Sequence, residues 1–151
     1  MKRYFFVIIF VLLFLLIIKT IFSTFLGSKV LILSDKEITD VNVDVADTIE
    51  ERNNGLKFRK DLQDDYGMLF VFDKEDFHTM WMKDTLIPLD MIFISDNFRI
   101  VDIKYAYPCK QDPCELYKPN QKNRYVLEVS GNYTIKKNIK IGDRVNIYAR
   151  A

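Results

Sequence analysis

The chain has 151 residues, with 22 lysines and arginines against 21 aspartates and glutamates, and two cysteines. That length suits one ordinary domain behind an apolar leader, and the near-neutral balance excludes the basic footprint of a nucleic-acid binder. Lys2, Arg3 and Lys19 are the only charges before Gly27, so the remainder holds 19 basic residues against 21 acidic ones, a formal charge of −2.

In chain order, Tyr4–Ile18 is an unbroken apolar run behind Lys2 and Arg3, the pattern of a signal sequence or signal anchor. Extended to Leu26 it is close to the ~20 residues that cross a bilayer, and residues 19–26 offer no small-x-small cleavage site. One transmembrane helix over residues 1–26 is therefore expected. Lys19 would snorkel to the headgroups, the N-terminus would be cytoplasmic, and residues 27–151 would form a single domain outside. Cleavage would give a secreted domain instead.

Val30–Leu33 predicts a first strand. Val41, Val43 and Val45 alternate with Asn42 and Asp44, as in a half-buried strand. Asp47 and Glu50 have capping-box spacing, which predicts a helix of about two turns that starts after Asp47 and ends at Gly55. Residues 56–65 read as irregular. Met68–Phe72 and Met80–Met82 read as strands joined by the solvated acidic turn Asp73–Asp76. Around the second run, Phe77, Thr79, Trp81 and Lys83 share one face while His78, Met80 and Met82 share the other. Two largely apolar faces predict a strand packed inside the body.

Met91–Ser95 and Phe98–Lys104 flank Asp96-Asn97, which suits a two-residue hairpin pairing Phe93 with Ile100 and Ile92 with Val101. Asp90 falls on the face of Ile92 and Ile94, where a carboxylate needs a partner or its pKa rises. Tyr107–Asn120 holds three of the four prolines and both cysteines, and reads as a long loop. Arg124–Ser130 alternates again, with Tyr125, Leu127 and Val129 opposite Val126 and Glu128. Asn132 is placed to cap a short helix over Tyr133–Lys137, and Ile141–Asp143 turns into a last strand, Val145–Ala149. These elements predict a mainly β chain, a compact barrel-like or sandwich domain with two short helices behind the transmembrane helix.

The segments ADTIEERNNGL (46–56), GMLFVF (67–72), WMKDTLIPLD (81–90), the PC…DPC…Y loop (108–117), YVLEV (125–129) and IGDRV (141–145) carry a resemblance. Their order and spacing resemble those of domain of unknown function 192, a bacterial and archaeal family. The resemblance implies a mainly β, barrel-like fold, a place mostly outside the cytoplasm, and no established activity. This chain has Met80-Trp81-Met82 where the family often has Phe-Trp-Met, and Gly55-Leu56-Lys57 where it often has Gly-Leu-Met.

Cys109 and Cys114 lie close together in a proline-containing loop expected outside the membrane, so a disulfide is the first expectation. It would contribute roughly 2 kcal/mol. A redox pair and metal thiolates are alternatives, although the spacing is not Cys-x-x-Cys and no second ligand cluster accompanies it. Trp81, Lys83, Asp84 and Asp90 are the candidate ligand-binding residues, a polar and aromatic group at a strand end. In the purely structural alternative, Asp84 and Asp90 satisfy backbone donors and a cation. A hydrolase would place Asp84, Asp90 and Glu128 in one cleft. His78 beside Glu75 or Asp76 is a weak metal pattern, and no metal site or cofactor is assigned. The expected function is that of an extracytoplasmic module binding a small polar ligand such as a sugar, or an envelope protein. A purely structural envelope component would show an exposed apolar patch and no concave site.

Overall fold

Alternating apolar residues dominate from Lys29 onward, and they settle into strands because each face then has apolar surface to bury. The computed structural model describes residues 9–18 and 27–149. Helix α1 covers residues 9–18. Then follow β1 (Lys29–Leu33), β2 (Ile38–Ala46), α2 (Ile49–Asn54), β3 (Tyr66–Asp76), β4 (Met80–Trp81) and β5 (Leu89–Ile94). They continue with β6 (Ile100–Ala106), β7 (Leu116–Tyr117), β8 (Asn123–Ser130), α3 (Tyr133–Lys136) and β9 (Arg144–Tyr148).

The transmembrane helix expected over residues 1–26 is corrected by α1. The described part of α1, ten residues at ~1.5 Å each, reaches about 15 Å, half of the ~30 Å hydrocarbon layer. Among the described residues no helix is long and apolar enough to cross a membrane. Residues 1–8 and 19–26, including Lys2, Arg3 and Lys19, lie outside the described residues.

Seven strands form one sheet in the order β6-β5-β8-β3-β2-β1-β9, and β4 pairs with β7 in a separate ribbon. Among the described strands only β2 and β3 run parallel. The edges meet at one end alone, where Ile100 N–H donates to Asp143 O, Gly142 N–H to Ile100 O and Val145 N–H to Phe98 O. The result is a mainly β half-barrel, which is barrel-like as expected and not the sandwich that was the alternative. Inside it pack Val30, Ile32, Val41, Leu69, Ile92, Leu127, Val145 and Tyr133. Its outer face carries a second core, in which Phe70, Met91, Phe93 and Val126 lie beneath Met80, Met82, Leu56 and Tyr117. All six residues of β5 are buried as a consequence.

Several local expectations shift. Strand β3 continues through the acidic stretch to Asp76, with a shift of register against β8 between Val71 and Asp76, so Asp73–Asp76 is not a turn. The β5–β6 pairing places Ile92 opposite Ile103 and Phe93 opposite Asp102, because the hairpin loop is longer than two residues and holds Phe98 in a left-handed conformation. The cap of α2 moves one residue on: Thr48 accepts from Glu51 N–H, and Glu51 reaches back to Thr48 N–H. Trp81 lies in the two-residue strand β4, on the outer ribbon, and is 47 % exposed. The expected interior strand is replaced by a lid whose methionines point inward.

Asp90 does need partners, and α3 supplies them. Its carboxylate accepts from Asn132 N–H at 3.1 Å, Thr134 N–H at 2.8 Å and the Thr134 hydroxyl at 2.6 Å. Asn132 is left-handed and makes no side-chain cap, so the helix start is capped from across the sheet. Gly67 is a second fixed point, since a Cβ there would stand 2.5 Å from the Glu128 carbonyl oxygen. We expect Asp90→Ala to leave three donors unsatisfied and to lower stability by about 2–4 kcal/mol in urea unfolding. An unchanged midpoint would contradict this role for Asp90.

Candidate functional site

The outer core is roofed by three loops that meet at Trp81. Helix α2 stops at Gly55, whose φ of 48° suits glycine and where a Cβ would sit 3.3 Å from the Phe70 ring. Leu56 then turns into the outer core and Lys57 outward. Phe58 and Asp84, both left-handed, join this loop to the β4 turn through Phe58 N–H donating to Asp84 O at 2.8 Å. The third loop carries the Cys109–Cys114 disulfide. It is tied to the turn by Cys109 N–H donating to Met82 O and by Lys83 pairing with Asp112 at 3.2 Å.

Between the first two loops lies a cleft of about 30 Å³, lined by Arg52, Asn53, Asn54, Gly55, Leu56, Lys57, Phe70, Met80, Trp81, Lys83, Thr85 and Glu128. That volume admits about one water-sized group. At its mouth, the Lys57 and Lys83 ammonium groups stand 5.9 and 6.0 Å from the centre of the Trp81 ring, within cation–π range. Arg52 forms part of the wall, donating to the carbonyls of Asp47 and Val71 and lying over Phe72.

Glu128 is at the floor. It sits on the outer face of β8, directly between Met68 of β3 and Met91 of β5, and is 4 % exposed. Burial alone pushes its carboxyl up to about 8; no hydrogen bond or charge contributes. A carboxyl in an apolar wall without a bonded partner is costly to folding, and the side that is not walled by methionine faces the cleft. Larger hollows exist, including one of about 450 Å³ beside Arg99 and Gly142 at the barrel seam. None of the residues lining that hollow is a buried acid, so chemistry and not volume selects the Trp81 cleft.

The sequence-derived candidates divide. Trp81 and Lys83 reach this cleft, as does Glu128. Asp84 is exposed and contributes its backbone to the turn. Asp90 pairs with Val129, so it projects from the opposite face of the sheet to Glu128 and is occupied by α3. The three carboxyls proposed for hydrolysis therefore do not converge. His78 stacks on Phe72 at 3.7 Å and contacts Lys74 O. Cys109, Asp112 and Cys114 bring ligating atoms within 4.8 Å of one another, but the sulfurs are bonded to each other at 2.04 Å, which removes the thiolates a metal would need. Lys57, Arg52 and Thr85 escaped the sequence reading. Lys57 alone left a signal, as a charge standing where the resembling family often has methionine.

Comparison with known proteins places this geometry. The DUF192 family model, described as "Uncharacterized ACR", matches residues 30–147. UPF0127 protein PH1112 of Pyrococcus horikoshii is 30 % identical over 110 residues, covering 68 % of this chain and 84 % of that protein. Two crystal structures share the fold. One, described as a candidate transcription regulator from Sinorhizobium meliloti, has a TM-score of 0.74 at 30 % identity, covering 80 % of this chain and 92 % of that one. The other, a protein of unknown function from Novosphingobium aromaticivorans, has a TM-score of 0.73 at 31 % identity, covering 78 % and 83 %.

The raised Glu128 pKa has a sign that can be measured. Between about pH 4.5 and about 8 the folded chain keeps a proton that the unfolded chain releases, so the Glu128 contribution to stability falls as pH rises and levels off above that window. Glu128→Gln should remove this share. In urea unfolding, its stability relative to the unaltered chain should rise by roughly a few kcal/mol from about pH 4 to about pH 9. A difference independent of pH would contradict a buried, unpartnered carboxyl.

Proposed function

This chain belongs to the DUF192 family of uncharacterised proteins, and from the geometry of its cleft we propose that it is a binding module for a small polar ligand of the sugar class. Glu128 carries the reading. A folded chain does not hold a carboxyl in an apolar wall without a partner for stability, and the cleft offers a ligand group the place of that partner. The ligand would lay its apolar face on the exposed Trp81 ring and insert one polar group toward Glu128. The cleft has room for no more. Chemistry on the ligand is not part of the proposal, since no second carboxyl stands across the cleft from Glu128.

The joined cysteines support a place outside the cytoplasm, where disulfides persist. They also support the site: the loop they close holds Asp112 against Lys83 and so fixes one side of the mouth. An envelope sugar or an envelope glycan end would suit such a place and could offer the single polar group the cleft admits.

Trp81 is the only tryptophan, so intrinsic fluorescence reports on the mouth directly. Titration with galactose, N-acetylglucosamine and galacturonate should give, for at least one, a saturable emission change and a rise in melting temperature. Trp81→Ala should abolish the rise in melting temperature while the protein remains folded. A panel that leaves both emission and melting temperature unchanged would contradict the reading, as would a rise that persists in Trp81→Ala.

A further inference from the structure

The charge around the cleft narrows the ligand class, an inference that rests on the binding reading above. We propose that the ligand presents a carboxylate, as a sugar acid does, held at the mouth by Lys57 and Lys83 and meeting the Glu128 carboxyl on the floor.

Three cations line the cleft, Arg52, Lys57 and Lys83, and Glu128 is the only acid among its lining residues. Lys57 has no carboxylate partner among the described residues. Lys83 has one, Asp112, but that pair is exposed and therefore weakly held against a competing anion. Arg52 is bonded to backbone carbonyls, so its charge is not cancelled by an acid. The field at the mouth is positive, which disfavours ammonium-bearing ligands and favours anions.

The floor agrees with the mouth. An ionised Glu128 would repel an incoming carboxylate, but burial keeps this group protonated at neutral pH. A protonated carboxyl donates one hydrogen bond, and its donation to a carboxylate oxygen is a charge-assisted bond stronger than a neutral one. Only one oxygen fits the cleft, and the second remains at the mouth beside the lysines. A sugar ring lying face-on against Trp81 is then turned so that its carboxylate is at the deep end. Small inorganic anions lack the apolar ring face that Trp81 offers.

Galacturonate and galactose differ at one carbon and separate the possibilities. Galacturonate is expected to change Trp81 emission with at least tenfold tighter binding than galactose. Lys57→Met, which keeps most of the side-chain stem, should weaken galacturonate about tenfold and galactose by much less. Equal binding of the two sugars, or insensitivity of galacturonate to Lys57→Met, would overturn the carboxylate assignment while leaving the sugar-binding reading in place. Tighter binding of galactose 1-phosphate than of galacturonate would overturn it also. Binding of none of them would remove both.

Discussion

The outer face of β8 must accommodate a carboxyl between two methionines, and the arrangement of the outer layer follows from how that is done. Met68 and Met91 flank Glu128 on the neighbouring strands, and neither offers a hydrogen-bond donor. Had the outer face been left to solvent, Glu128 would be an ordinary surface acid. It is buried because the same face carries Phe70, Met91, Phe93 and Val126, which need cover. Each such side chain contributes about 1.5–3 kcal/mol when removed from water, so the apolar residues impose the lid and the carboxyl is enclosed with them. What remains open above it is a cleft the size of a single group.

The lid is built from short, irregular pieces that depend on one another. Gly55 lets the chain leave α2 against Phe70. Phe58 and Asp84 adopt left-handed conformations that non-glycine residues visit at some cost, and the hydrogen bond between their backbones joins two loops. The disulfide loop adds its own bond to Met82. Gly67 underneath leaves room for the Glu128 carbonyl oxygen, which a Cβ there would meet at 2.5 Å. These positions account for the close spacing of glycine, turn residues and cysteine around a Trp that looks, in the sequence alone, like part of a core.

Much of this was legible from residues. Alternation in Arg124–Ser130 separated Glu128 from Leu127 and Val129 correctly, and it put a carboxyl on a face shared with Val126. Asp90 was placed on the face of Ile92 and Ile94, with the requirement that something bond to it. The cysteine pairing and the mainly β class followed from composition and spacing. The position of Trp81 did not, because an apolar pattern on both faces describes a buried strand and a two-residue lid strand equally well; what decides is whether neighbouring strands exist on both sides. The β5–β6 register failed for a related reason, since a left-handed Phe98 carries no sequence signal of the kind that glycine or asparagine gives. The capping of α3 by Asp90 joins residues more than 40 positions apart, and local rules favoured the adjacent Asn132. The N-terminal run satisfied a hydropathy rule, whereas among the described residues no helix is long and apolar enough to cross a membrane.

The site is thus defined less by its size than by the buried carboxyl that lines it, and the protonation state of that group tests the account most directly. A pH titration of the Glu128 side-chain carboxyl, followed by the ¹³C shift of a selectively labelled chain, measures it directly. The account predicts a midpoint near 8, displaced by burial from 4.5. A midpoint near 4.5 would mean that water or a charge reaches the carboxyl, and that the cleft over Glu128 is not the enclosed site described.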